Sequence, residues 1–151
     1  VNAPELLIVA GPNGSGKTTF ARRFAEAKGI RYLGADDIAA ELDPENPLAV
    51  AVKAARVFSR RLEESLKNHE TLVVESTLAG RSLQSHAEAA RELGYRVGVL
   101  FIFLDSPELC LARITERVAR GGHGVPEEDV RRRFARSLKN FWRIYRPLAA
   151  E

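Results

Sequence analysis

Residues 11–18 read Gly-Pro-Asn-Gly-Ser-Gly-Lys-Thr and match G-x-x-x-x-G-K-[ST] at every fixed position. Glycines at these places open backbone torsions closed to other residues and let the chain wrap closely around an anion. Successive N–H groups then converge on one point, and a following helix adds the positive end of its dipole. In that geometry Lys17 reaches the outer phosphates of a nucleotide, and the Thr18 hydroxyl is placed to ligate Mg²⁺. Gly11, Asn13, Gly14, Ser15, Gly16, Lys17, Thr18 and Thr19 are therefore the candidate nucleotide ligands, with ATP and Mg²⁺ as the implied cofactors.

The surroundings suit such a loop. Leu6 to Ala10 is an apolar run that reads as a buried strand, and a helix is expected from Lys17 to Lys28, with Phe20 and Phe24 on one face and Gly29 as its stop. Strands are expected over 30–33, 71–74 and 97–104. Between them, a short helix opens at Gly34-Ala35-Asp36-Asp37 and closes at Asp43-Pro44. A long helix over 48–69 carries Leu48, Val52, Ala55, Leu62 and Leu66 at helical spacing, and another runs from Ser82 to Leu93. Ser106 and Pro107 make a good helix start, and that helix ends near Gly121-Gly122. A last helix from Pro126 aligns Val130, Phe134, Leu138, Phe141, Tyr145 and Leu148; no strand signal follows it.

Strands alternating with helices predict an α/β fold: a P-loop NTPase-type parallel β-sheet with helices on both faces, kinase-like, with an arginine-bearing lid. With no repeat or linker, residues 1–151 read as a single P-loop kinase domain.

The apolar share of 45% and charged share of 28% are those of a globular protein. No apolar run approaches a membrane span, and the start lacks the pattern of a signal peptide, so a cytoplasmic protein with no membrane partner is expected. The single Cys110 fits a reducing compartment and lies in an apolar stretch, where it reads as packing.

In open α/β sheets the site lies at the carboxyl ends of the strands. Asp36-Asp37, Glu75-Ser76-Thr77 and Asp105-Ser106 each follow an expected strand. Asp36 or Asp37 is the candidate general base, with helix capping as the alternative; Glu75 would orient an acceptor or bind Mg²⁺ through water. Asp105 reads as a cap. Arg113, Arg117 and Arg120 share one broad helix face and lead into Gly121-Gly122-His123-Gly124, a stretch suited to a lid. Mobile arginines of this kind stabilise charge during phosphoryl transfer. Arg131, Arg132 and Arg133 read as mostly solvated, with Arg132 or Arg136 the exceptions.

The chain resembles the zeta-toxin family of P-loop kinases, in its short single-domain bacterial form. The resemblance rests on the loop at 11–18, on Ala-Asp-Asp-Ile at 35–38, on 73–81, on 104–108 and on 113–126. It implies transfer of a phosphoryl group from ATP to a hydroxyl of a small molecule, UDP-N-acetylglucosamine in that family, and an antitoxin protein as a candidate partner. It places the catalytic aspartate on Asp36 and the substrate-orienting glutamate on Glu75, within an acceptor-side set of Asp36, Asp37, Glu75, Thr77 and Arg81. The first lid arginine falls on Arg117. The second would fall near His123, so either Arg120 stands in for it or that contact is missing. Long C-terminal regions of larger members have no counterpart here, which leaves the acceptor open.

Two other readings compete. The basic C-terminal third suggests a nucleotide or polynucleotide kinase, although Phe134, Phe141 and Tyr145 read as core and leave few aromatics to stack bases, which argues against nucleic acid. A nucleotide-binding switch without transfer would have no need of an acceptor base.

Overall fold

The computed structural model describes residues 2–150. Four parallel strands, β1 (Glu5–Ala10), β2 (Arg31–Leu33), β3 (Leu72–Ser76) and β4 (Arg96–Phe101), form one sheet in the order β2-β3-β1-β4. Six α-helices alternate with them: α1 (Lys17–Lys28), α2 (Ala35–Leu42), α3 (Ala51–Lys67), α4 (Ser82–Glu92), α5 (Pro107–Ala119) and α6 (Glu127–Asn140). No helix among the described residues is long and apolar enough to cross a membrane. The expected α/β fold with a parallel sheet flanked by helices is the fold observed.

Side chains alternate across a strand, so β1 and β3 each feed two cores. Leu6, Ile8, Leu72 and Val74 pack with Ile38 of α2, Phe58 and Leu62 of α3 and Leu83 of α4. Val9 and Val73 point the other way, onto Ala21 and Ala25 of α1. A smaller cluster of Cys110, Ile114 and Val130 joins α5 to α6. Cys110 is fully buried and burial pushes its thiol pKa up, so it packs as expected.

The expected helix ends hold. Gly29 closes α1 at φ 64°, its N–H bonded to the Ala25 and Glu26 carbonyls. The Ser106 hydroxyl caps α5 by accepting from the Leu109 N–H at 3.2 Å.

Other expectations are corrected. Pro47–Val50 form a separate 3-10 turn, so α3 starts at Ala51 and its core stripe is Ala54, Phe58, Leu62 and Leu66. Leu48 and Val52, expected inside, are 60% and 70% exposed. The large Phe58 ring fixes the phase, and Val52 and Ala55 fall on the neighbouring face. β3 runs on through Glu75 and Ser76, whereas β4 stops at Phe101. The last helix changes to a π-helical turn over Phe141–Tyr145, and Leu138 is 37% exposed. Beyond it the Ala150 N–H bonds the Val97 carbonyl of β4 at 2.8 Å.

The C-terminal segment also fixes the loop after β3. Ser137 Oγ donates to the Thr77 carbonyl, Asn140 Nδ2 to the Leu78 carbonyl at 2.7 Å and Tyr145 Oη to the Gly80 carbonyl at 3.0 Å. Leu78 is held at φ 58°, uncommon for a residue with a side chain. Burial pushes the Tyr145 phenol from 10.0 up to about 12. A folded-state pKa raised this way leaves stability intact below the unfolded value near 10 and removes it as pH climbs through about 12. Tyr145→Phe is expected to cost about 1 kcal/mol at neutral pH, a Tm fall of about 2–4 °C, and to lose less stability across that alkaline window. Melting curves at a series of pH values check both effects.

Candidate active site

The register of the sheet brings the expected residues together. Val9 of β1 lies opposite Glu75 of β3, and Leu33 of β2 lies opposite Val74. The chain leaving β1 into the glycine-rich loop, the end of β3 and the start of α2 therefore meet at one sheet edge. The Gly11 N–H donates to the Ser76 carbonyl at 3.3 Å, tying the loop to β3.

Within the loop, Gly11, Gly14 and Gly16 have φ of 155°, 80° and 89°. A Cβ on Gly11 would come within 2.6 Å of the Ile102 carbonyl oxygen, so the loop cannot lie this close to the end of β4 with any other residue. Asn13, Ser15 and Lys17 are buried, and among the described residues neither Asn13 Oδ1 nor Ser15 Oγ has a hydrogen-bond partner. The Ser15 hydroxyl, buried and unpaired in this concave loop, can donate to an anion rich in oxygens, whereas Asn13 Oδ1 can only accept.

Lys17 is 8% exposed, and its ammonium makes one long hydrogen bond, 3.5 Å to the Pro12 carbonyl. Burial lowers its pKa below 10.5; Glu75 and Asp36 oppose the fall, and Arg117 and Arg133 add to it. A lysine lowered this way weakens the fold below its folded-state pKa, and the penalty fades as pH rises toward the unfolded value. Lys17→Met is thus expected to raise the Tm of nucleotide-free protein at neutral pH by about 2–4 °C, roughly 1 kcal/mol. The same variant should lose the Tm rise that ATP gives the wild type. Scanning fluorimetry with and without ATP reads both.

A cleft of about 700 Å³ opens beside the loop, lined by Asn13, Lys17, Asp36, Glu75, Thr77 and Arg133, with α3 and the start of α4 as its far walls. The two adjacent aspartates part company here. Asp36 lines the cleft, while Asp37 pairs with the Arg22 guanidinium, whose Nε lies 3.2 Å from Oδ2. Glu75 is 6% exposed and accepts a hydrogen bond from Thr18 Oγ1 at 2.6 Å. Thr77 also lines the cleft, but Arg81 stands just before α4, exposed and outside it.

Among the arginines, Arg117 is tied to the turn after α5, its Nε and Nη2 donating to the His123 carbonyl at 3.2 and 2.9 Å. Arg120 ends α5, exposed and outside the cleft. Arg131 pairs with Glu108 at 2.8 Å and Arg132 with Asp129 at 2.8 Å, both exposed. Arg133, half-buried, is the member of that run that turns inward, and Arg136 stays exposed.

One residue beside the site, Tyr32, had no sequence signal, and Arg113 of the expected arginine cluster lies outside the cleft. Tyr32 places its hydroxyl, buried and without a hydrogen-bond partner among the described residues, beside Gly34 and the Glu75 carboxylate. Burial, then the charges of Glu75 and Asp37, raises its pKa. Arg113 borders a second groove of about 520 Å³ with Gly16, Thr19, Phe20, Arg23 and Phe24, on the outer side of the loop.

Residues 6–143 match the family described as AAA domain. The chain belongs to this family. The matched span takes in the loop, the cleft and Arg133. An uncharacterized protein of Haemophilus influenzae is 34% identical over 128 residues, covering 85% of this chain and 91% of that relative. A cytidylate kinase of Halorubrum lacusprofundi is 33% identical over 92 residues, 55% of this chain and 48% of its own length, so the chain matches about half of that enzyme. Among solved structures, a putative kinase from Chloroflexus aurantiacus superposes with TM-score 0.67 at 20% identity, over 80% of this chain and 70% of that one. A chain of the Pnkp1/Rnl/Hen1 RNA repair complex reaches 0.75 at 20% identity, over 95% and 47%. A chain of the PezAT chromosomal toxin-antitoxin system of Streptococcus pneumoniae reaches 0.68 at 16% identity, over 99% and 66%. These likenesses establish a P-loop kinase-like fold for this AAA domain family member. The zeta-toxin resemblance holds at that coarse level.

Proposed function

We propose that the chain is an ATP- and Mg²⁺-dependent phosphotransferase that moves the γ-phosphoryl group to a hydroxyl of a small molecule. The observation that carries this reading is one cleft holding Lys17, Asp36 and Glu75 next to the phosphate loop, with Asp36 left free of the ion pair that occupies Asp37. The loop N–H groups and Lys17 hold the outer phosphates. Asp36 accepts the proton of the acceptor hydroxyl as its oxygen bonds to the γ-phosphorus and the bond to the β,γ-bridging oxygen breaks. Arg133 and Arg117 supply positive charge to the equatorial oxygens. The outer groove by Phe20 and Arg113 is the place for the nucleotide base.

Mg²⁺ suits the donors present. Thr18 Oγ1 and the Glu75 carboxylate are hard oxygens already within 2.6 Å of each other, and no described cluster of three or more His, Cys, Asp or Glu makes a cage of its own. Magnesium held by a hydroxyl, water and substrate phosphates needs no such cage, and would neutralise phosphate charge.

A UDP-sugar such as UDP-N-acetylglucosamine is the narrower reading, supported by the zeta-toxin resemblance and the PezAT fold likeness; an antitoxin partner belongs to it. The similarity to cytidylate kinases favours a second reading, transfer to a nucleoside monophosphate. Purified protein incubated with Mg-ATP and UDP-sugars, nucleoside monophosphates and 5′-hydroxyl oligonucleotides, followed by mass spectrometry, tests them together. Lys17→Ala is the blank. A UDP-sugar product supports the first reading and a nucleoside diphosphate the second. ATP binding with no product from any acceptor, including a whole metabolite extract, would overturn transfer.

A further inference from the structure

We infer that Arg56 and Arg60 of α3 form an anion-binding subsite for the acceptor, so that the molecule phosphorylated is itself a phosphate-bearing alcohol. This rests on the phosphotransferase reading and deepens it.

Val52, Ala55, Arg56, Ser59, Arg60 and Glu63 all line the cleft. Their spacing makes one continuous stripe down α3, about 16 Å long, beside the stripe that enters the core. Arg56 and Arg60 are one turn apart, about 6 Å along the axis, with Ser59 between them. Their neighbour Arg61 is tied to Glu41 at 3.0 Å, but neither Arg56 nor Arg60 makes a salt bridge or side-chain hydrogen bond among the described residues. Both arginines are exposed where they line the cleft, and without partners their donor forks are open to whatever enters.

The charges divide along the cleft. Its cations are Lys17, Arg56, Arg60 and Arg133, against the carboxylates Asp36, Glu63 and Glu75. Asp36 and Glu75 act on Lys17 at the loop end, which leaves Glu63 alone beside two arginines on α3. Opposite, α4 begins at Ser82 with no side chain capping its N–H groups, and His86 faces the cleft from its second turn. The donor's phosphates are accounted for by the loop and Lys17, so this second basic wall answers to the other substrate. The volume of about 700 Å³ accommodates a nucleotide-sized acceptor, and Val52 and Ala55 offer it an apolar surface one turn from the arginines.

The test uses a bacterial metabolite extract incubated with the protein and Mg-ATP, scanned by mass spectrometry for species that gain one phosphoryl group. The acceptor is expected to contain phosphorus already. A neutral or purely carboxylate acceptor overturns the subsite while the kinase reading stands, and no new product with ATP bound removes both. With the acceptor in hand, the Arg56→Ala/Arg60→Ala double variant should raise its KM about 10–100-fold and change kcat far less. Arg56→Lys/Arg60→Lys should recover part of the loss. A KM unchanged in the alanine variant overturns the assignment of these arginines.

Discussion

Asp36→Asn is expected to lower phosphoryl transfer by about 10²- to 10⁴-fold, the range a positioned general base contributes, with ATP affinity changed little. The amide keeps the shape and removes the site that takes the hydroxyl proton. Asp36 lines the cleft with Lys17 and Glu75, so it is the carboxylate an acceptor meets next to the phosphate loop. Asp37→Asn is the matched control, one residue away with the same chemical change. It breaks the Arg22 pair, whose side chains are 56% and 37% exposed, so it costs well under about 1 kcal/mol and leaves transfer near wild type. The Asp36 change has a second consequence. Asp36 helps to hold Lys17 protonated, so its loss lowers the Lys17 pKa further. ATP binding in the variant should therefore weaken at lower pH on the alkaline side than in the wild type. Rapid-quench assays for transfer and titrations of ATP across pH separate the two effects. Equal losses in both aspartate variants would sink the assignment of Asp36 as base.

The parts of this site legible in the sequence are those fixed by local chemistry. The loop announces itself because only glycine takes its torsions, and Gly29 and Ser106 mark helix ends by the same kind of local demand. Strand order placed Glu75 beside the loop because parallel strands deliver their carboxyl ends to one edge. What escaped was helix phase. Taking the 3-10 turn over Pro47–Val50 as the first turn of α3 puts Val52 and Ala55 in the stripe, whereas the helix that starts at Ala51 is strongly amphipathic about Ala54, Phe58, Leu62 and Leu66. Reading Val52 as core concealed the cleft-facing stripe that carries Arg56 and Arg60. In α6 the signal was present but unused: Arg133 stands three residues after Val130 and four before Ser137, both buried, so it shares their inward face. Tyr32 could not be found this way, because its place depends on the register of β2 against β3.

Arg133→Ala is expected to reduce kcat for transfer by about 10²- to 10³-fold, with Arg120→Ala close to wild type. Arg133 is half-buried, lines the cleft and acts electrostatically on Lys17; Arg120 is exposed at the end of α5 and does neither. Charge on the equatorial oxygens grows as the phosphoryl group moves, so a cation that faces them lowers the barrier more than it tightens ground-state binding, and kcat should fall more than KM rises. Unfolding does not explain such a loss. Arg133 pushes the Lys17 pKa down, so its removal relieves repulsion and lets Lys17 keep its proton to higher pH. The alkaline limb of ATP binding should accordingly move up in Arg133→Ala, opposite to its movement in Asp36→Asn, while the Tm holds or rises. Arg133→Lys should recover part of kcat, since charge is restored without the planar fork. Were Arg120→Ala the damaging variant and Arg133→Ala the mild one, the lid would have to swing Arg120 over the phosphates on closing, and the inward face of α6 would be only structural.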